Sequence, residues 1–145
     1  MKWQGKKIVV TGASSGIGLA LIKKFLEEGC TVVAAARTIS KISLKNSKLY
    51  LYSCDVSTPE GVDELFDYAV ETLGKIDIFI ANAGFAYYER LGEANWGHIE
   101  SIYHTNFHSV VYSAQKMKEL NGKKPYNFLA TYHLLLQGNY MVFYH

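Results

Sequence analysis

Two constellations in the 145-residue chain combine reactive residue types with a spacing that permits chemistry. Thr11-Gly12-Ala13-Ser14-Ser15-Gly16-Ile17-Gly18 is a glycine-rich turn of the kind that lets backbone approach a pyrophosphate, whose charge the amides and dipole of a following helix would favour. Taken alone, a tight turn packing a helix on a strand explains it equally well. His104 and His108 share a helix face at metal-ligand spacing. No third His, Cys or carboxylate is placed with them, so a paired solvated face is the simpler account and no metal is expected. Tyr87, Tyr88 and Trp96 are an aromatic group that could edge a cleft or only pack a loop.

The elements that would position these residues alternate. Lys7–Thr11 is an apolar run ending in glycine, as in a strand buried on both faces. Ile17, Leu21 and Phe25 form one row of an amphipathic helix that Gly29 closes. Further strands are predicted at 31–36, 48–53, 76–81 and 126–131, with helices opening at Ser57-Thr58-Pro59 and running from about 96 to 120. This order predicts an α/β doubly wound parallel sheet, one Rossmann-like domain over 1–145, with right-handed crossovers.

Composition narrows the setting. Hydrophobic residues make up 49% and charged residues 19%, the balance of a globular chain. The net charge of +2 is spread without runs, so no nucleic-acid partner is indicated, and no segment is long and apolar enough for a signal core or membrane span. Cys30 and Cys54 are too few for a disulfide framework and read as small residues next to strands. A reducing, cytoplasmic location is the expectation.

The spacing Gly-x-x-x-Gly-x-Gly after Thr11 resembles the short-chain dehydrogenase/reductase family, and three more stretches match that family in order: Cys54-Asp55-Val56, Asn82-Ala83-Gly84, and Asn106 with Gln115 nine residues on. The likeness covers residues 5–131, a little over half of the usual family domain. It implies strand order 3-2-1-4-5 and a pyrophosphate at Gly12, Ser14, Ser15, Gly16, Ile17 and Gly18. It also implies adenine at Asp55 and Val56, a sheet edge steadied by Asn82-Ala83-Gly84 with Asn82 beside the ribose, and a catalytic Asn106 that bends its helix and holds a water. After the second strand stands Arg37, with no carboxylate to repel a 2′-phosphate and a guanidinium that pairs with one, so NADP is expected over NAD. Ser15 lacks the extra basic side chain that many NADP-preferring members carry in the glycine turn.

In that family a Tyr moves the substrate proton, a Lys four residues later lowers its pKa, and a Ser ending the fifth strand orients the carbonyl. Tyr112-Ser-Ala-Gln-Lys116 matches the Tyr-x-x-x-Lys spacing but lies on the helix of Asn106, about 240° around its axis, instead of on the helix after the fifth strand. It is rejected as the active-site pair. The Ser position falls at or next to His133. From Tyr132 to His145 nothing matches the family, and no Lys, Arg, Asp or Glu follows Lys124. A shifted frame over Tyr132–Gly138 can encode Ser-Ser-Ser-Ser-Ala-Gly, so a frameshift near Thr131 is the suggested origin of a chain incomplete at its C-terminus. The resemblance thus implies an NADP-dependent oxidoreductase acting on a small-molecule carbonyl or alcohol, homo-oligomeric when intact, with this chain truncated and inactive or nearly so. The alternatives are a non-catalytic dinucleotide-binding or interaction module and a poorly folding product.

Overall fold

The computed structural model describes residues 2–131, 133–137 and 140–144. Of the compositionally distinct segment 132–145, Tyr132, Gly138, Asn139 and His145 lie outside the described residues, as does Met1.

Strand β1 (Lys7–Thr11) places Ile8, Val9 and Val10 fully out of solvent, so both of its faces are covered. A glycine turn leads into α1 (Gly16–Glu27), then β2 (Thr31–Ala36), β3 (Leu49–Ser53), α2 (Pro59–Leu73) and β4 (Ile78–Ala81). The two-residue β5 (Glu89–Arg90) precedes α3 (Trp96–Ile102), a π-helical turn at Tyr103–His108, α4 (Ser109–Asn121) and β6 (Asn127–Ala130). Strands β7 (His133–Gln137) and β8 (Tyr140–Tyr144) form a small antiparallel sheet with β5.

The main sheet is parallel with order β3-β2-β1-β4-β6, which is the expected 3-2-1-4-5 once β5 is set aside. Its two faces carry separate cores. Val9, Val33, Phe79, Leu65 and Met117 pack on the side of α2 and α4, while Ile8, Val10, Val32, Ile78 and Ile22 pack on the side of α1. Alternate residues of each strand therefore serve opposite layers. Phe79 stacks between Phe66 of α2 and Phe128 of β6, with ring centroids 5.0 and 5.7 Å apart.

Local chemistry sets the ends. The Thr58 hydroxyl accepts from Gly61 N at 3.1 Å with Pro59 at the first helical position, and Gly74 closes α2 in the left-handed region. The expected strand at 76–81 is assigned from Ile78, two residues later, although Asp77 already donates its N–H to Lys7 O at 2.8 Å and its carboxylate accepts from Lys7 N at 2.8 Å. The long helix predicted from 96 exists, but the π turn interrupts it at Asn106.

Candidate functional site

At the C-terminal ends of the central strands the chain leaves a groove of about 310 Å³. Its walls come from the glycine turn (Gly12, Ser14, Ser15, Gly16, Ile17), the end of β2 (Ala36, Arg37, Thr38), the end of β3 (Cys54, Asp55, Val56) and the end of β4 (Asn82, Ala83, Gly84). The groove lies where the sheet order reverses, between β1 with α1 on one side and β4 on the other, the position at which open α/β sheets take ligands.

The glycines of the turn have different tasks. Gly12 has φ 63°, and a Cβ on it would sit 2.8 Å from Ala83 Cα. Gly18 does not line the groove: a Cβ there would come within 2.2 Å of Gly12 O, so its bare Cα seats α1 against the turn. Gly16 has φ 53° and faces open space. Helix α1 has no side-chain cap from Ser15 and no acidic residue in its first turn, in contrast to α2 with its Thr58 cap and Glu60. An uncapped N-terminus beside an open glycine is chemically suited to an anion such as a dinucleotide pyrophosphate.

Three strand ends are joined under this groove. Thr11 Oγ1 accepts from the backbone N–H groups of Asn82 and Ala83, both at 3.0 Å, and donates to Ile80 O at 3.4 Å. The Asn82 side chain donates to Thr11 O and Gly12 O, both at 3.2 Å, and accepts from Thr131 Oγ1 at 3.0 Å. Asn82 is 6% exposed, and its amide ties β1, β4 and the residue after β6 into one block. Sequence reasoning singled out Asn82 but missed Thr11 and Thr131 as its partners. It also missed Gly61, where a Cβ would stand 1.8 Å from Asp55 O, so α2 begins pressed against the loop that follows β3.

Asn106 is also buried, 8% exposed, within the π turn. Its Oδ1 accepts from Phe85 N at 3.0 Å and its Nδ2 donates to Phe85 O at 2.8 Å. Asn106 does not itself line the groove; its neighbour Thr105 and its partner Phe85 do.

Tyr112 and Lys116 are engaged elsewhere. The Tyr112 hydroxyl donates to Asp63 Oδ1 at 2.9 Å, and Lys116 Nζ meets the same oxygen at 2.8 Å, which bridges α4 to α2. The Asp63 hydrogen bond pushes the Tyr112 phenol above its ordinary value, and the lysine and tyrosine contacts hold the Asp63 carboxyl below its own. A proton-transferring tyrosine needs the opposite shift at neutral pH.

The remaining candidates separate in the same way. Tyr87 stacks on His98 with centroids 3.8 Å apart, and His98 Nδ1 contacts Glu89 Oε1. Tyr87 borders a second recess beside Arg37 and Asp55, whereas Tyr88 and Trp96 are 73% and 72% exposed. The rings of His104 and His108 meet edge-on at 5.0 Å, and among the described residues no group of three His, Cys, Asp or Glu is placed to hold a metal ion. Cys30 and Cys54 are both free, and burial pushes the Cys54 thiol up to about 11. No helix among the described residues is long and apolar enough to cross a membrane.

A parallel sheet of this order with a glycine turn at its reversal point defines a Rossmann-like nucleotide-binding fold. The family model of the short chain dehydrogenases matches residues 6–125, and the chain belongs to that family. It is 33% identical over 124 residues to the farnesol dehydrogenase of Aedes aegypti, a match covering 79% of this chain and 51% of the relative. Among solved structures it resembles a 3-ketoacyl-(acyl-carrier-protein) reductase from Brucella melitensis complexed with NADH (24% identity, TM-score 0.78, 82% of this chain and 51% of the other). It also resembles a short chain dehydrogenase from Burkholderia cenocepacia in complex with NADP (23% identity, TM-score 0.75, 83% and 52%). At these identities the structural likeness shows the fold. The chain spans about half the length of these proteins.

Proposed function

We propose that residues 5–131 are the cofactor-binding part of an NADP-preferring oxidoreductase that transfers a hydride between nicotinamide and a carbonyl or alcohol carbon. The observation that carries this reading is the groove itself: an uncapped α1 N-terminus and an open Gly16 at one place, and Arg37 at the end of β2. The glycine-turn amides would hold the pyrophosphate, Asp55 and Val56 the adenine, Asn82 to Gly84 the ribose side, and Arg37 the 2′-phosphate. When bound, the nicotinamide supplies hydride acceptance or donation. The chain's own contribution to proton handling is limited to Asn106, whose side chain is committed to Phe85, so any water there would rest on its backbone carbonyl.

Binding without turnover by these 145 residues is part of the same reading, because the only Tyr-x-x-x-Lys is occupied by Asp63. That observation also favours a second reading, a non-catalytic dinucleotide-binding module. Two free cysteines fit a reducing compartment such as the cytoplasm. Calorimetric titration of the chain with NADPH and NADH, followed by a carbonyl-reduction assay, tests these statements. Tighter NADPH binding with no turnover supports the proposal. No binding of either overturns it, NADH preference overturns the cofactor, and family-like turnover overturns the inactivity.

A further inference from the structure

Resting on the NADP reading above, we propose that Lys41 is the second cation of the 2′-phosphate subsite, supplying the charge that the glycine turn does not. A phosphate monoester carries about −1.5 to −2 charge at pH 7, so one guanidinium leaves it partly unneutralised. The glycine turn offers only the hydroxyls of Ser14 and Ser15. After β2 the chain turns through Thr38 into a short 3₁₀ turn, Ile39–Lys41, which returns Lys41 to the same groove as Arg37 and Thr38.

Both cations stand on anchored backbone. The Ser53 hydroxyl donates to Arg37 O at 2.9 Å, and Ile42, next to Lys41, is buried in the core on the α1 side. Their charged ends are uncommitted: among the described residues neither Arg37 nor Lys41 makes an ion pair, whereas Lys24, Lys75, Arg90 and Lys116 do. Asp55 is the groove's single carboxylate, and its Oδ1 accepts from Ser57 N at 3.0 Å. Two unpaired cations four residues apart, beside a threonine hydroxyl, are matched to a dianion rather than to the ribose diol of NAD.

The test is calorimetric binding of 2′,5′-ADP and 5′-ADP to the 145-residue chain and its variants. The unmodified chain is expected to prefer 2′,5′-ADP. Lys41→Gln should weaken 2′,5′-ADP by about tenfold, the scale of one charge-assisted contact, and leave 5′-ADP unchanged, while Lys41→Arg keeps the preference. Undiminished 2′,5′-ADP binding by Lys41→Gln would overturn the role of Lys41 while leaving the NADP reading intact. Equal weakening of both nucleotides would assign Lys41 a structural role and overturn it as well. No preference in the unmodified chain removes the NADP reading, and this subsite with it.

Discussion

Asn106 and Phe85 exchange two hydrogen bonds, the side-chain amide of one satisfying both backbone groups of the other. Phe85 follows Asn82-Ala83-Gly84 and borders the groove, so this clamp fixes the loop after β4 to the π turn between α3 and α4. Asn106→Ala leaves the Phe85 N–H and C=O without these partners in a half-buried place and should cost about 2 kcal/mol in urea unfolding. Asn106→Asp keeps the acceptor and sets a carboxylate against Phe85 O. Its new carboxyl is held above its unfolded pKa, so the deficit should be full at pH 7 and shrink as pH falls toward about 4, where the proton restores a donor.

Gly16 and Gly18 should respond differently to the same methyl group. Gly18→Ala drives a Cβ to within 2.2 Å of the backbone atom Gly12 O and is expected to cost about 3 kcal/mol in stability, the upper end of overpacking. Gly16→Ala meets no atom but must adopt φ 53°, a strain of about 1–2 kcal/mol, and its methyl enters the space above the α1 N-terminus. Weaker NADPH binding with a modest drop in melting temperature is the expected result for Gly16→Ala, against a large drop for Gly18→Ala. Reversal of that order would contradict the assigned roles.

Arg37→Glu replaces the cation at the end of β2 with a carboxylate that repels a 2′-phosphate and accepts from ribose hydroxyls. The ratio of NADPH to NADH affinity should fall by at least about tenfold, the loss of one charge-assisted contact. An unchanged ratio in paired titrations would show that Arg37 does not read the phosphate.

Tyr112→Phe should leave dinucleotide binding untouched and loosen only the contact between α2 and α4. For the Asp63 contact the pH dependence has a defined sign. The Asp63 carboxyl lies below its ordinary 3.8, so its stabilisation is present above that value and disappears as pH falls through the lowered pKa. Lys116, raised above 10.5, loses its share only as pH climbs past that range. Melting curves of the chain and its Asp63→Asn variant should differ by a constant amount from about pH 5 to 9 and converge in acid. Convergence at neutral pH would sink the assignment.

The sheet order and the glycine turn at its reversal point were legible because their signals are local. Continuous apolar runs such as Ile8-Val9-Val10 mark strands buried on both faces, and glycine spacing marks the turn between β1 and α1. The engagement of Tyr112 and Lys116 with Asp63 adds a partner to a pair that regular helix geometry had already set apart from Asn106. What the sequence concealed were relationships between distant residues. Nothing local announces that Thr11 and Thr131 both serve Asn82, that Asp63 would collect Tyr112 and Lys116, or that Gly61 must lack a side chain beneath Asp55. The π turn had no signal in the local pattern, which is ordinarily helical; only the family resemblance placed a bend at Asn106, and the backbone bonding gives that bend its form.

The all-parallel main sheet also dictates an order of assembly. No neighbouring pair in it is joined by a hairpin: Lys7 reaches Thr31 across 24 positions and Asp77 across 70. During synthesis β1 and α1 emerge first, yet one flank of β1 stays bare until β4 arrives, and the threonine that ends β1 waits for Asn82. The groove is therefore a late product of folding, absent from any nascent chain that stops short of residue 84, and under the function proposed above a dinucleotide would act as a folding ligand only on chains already past that point.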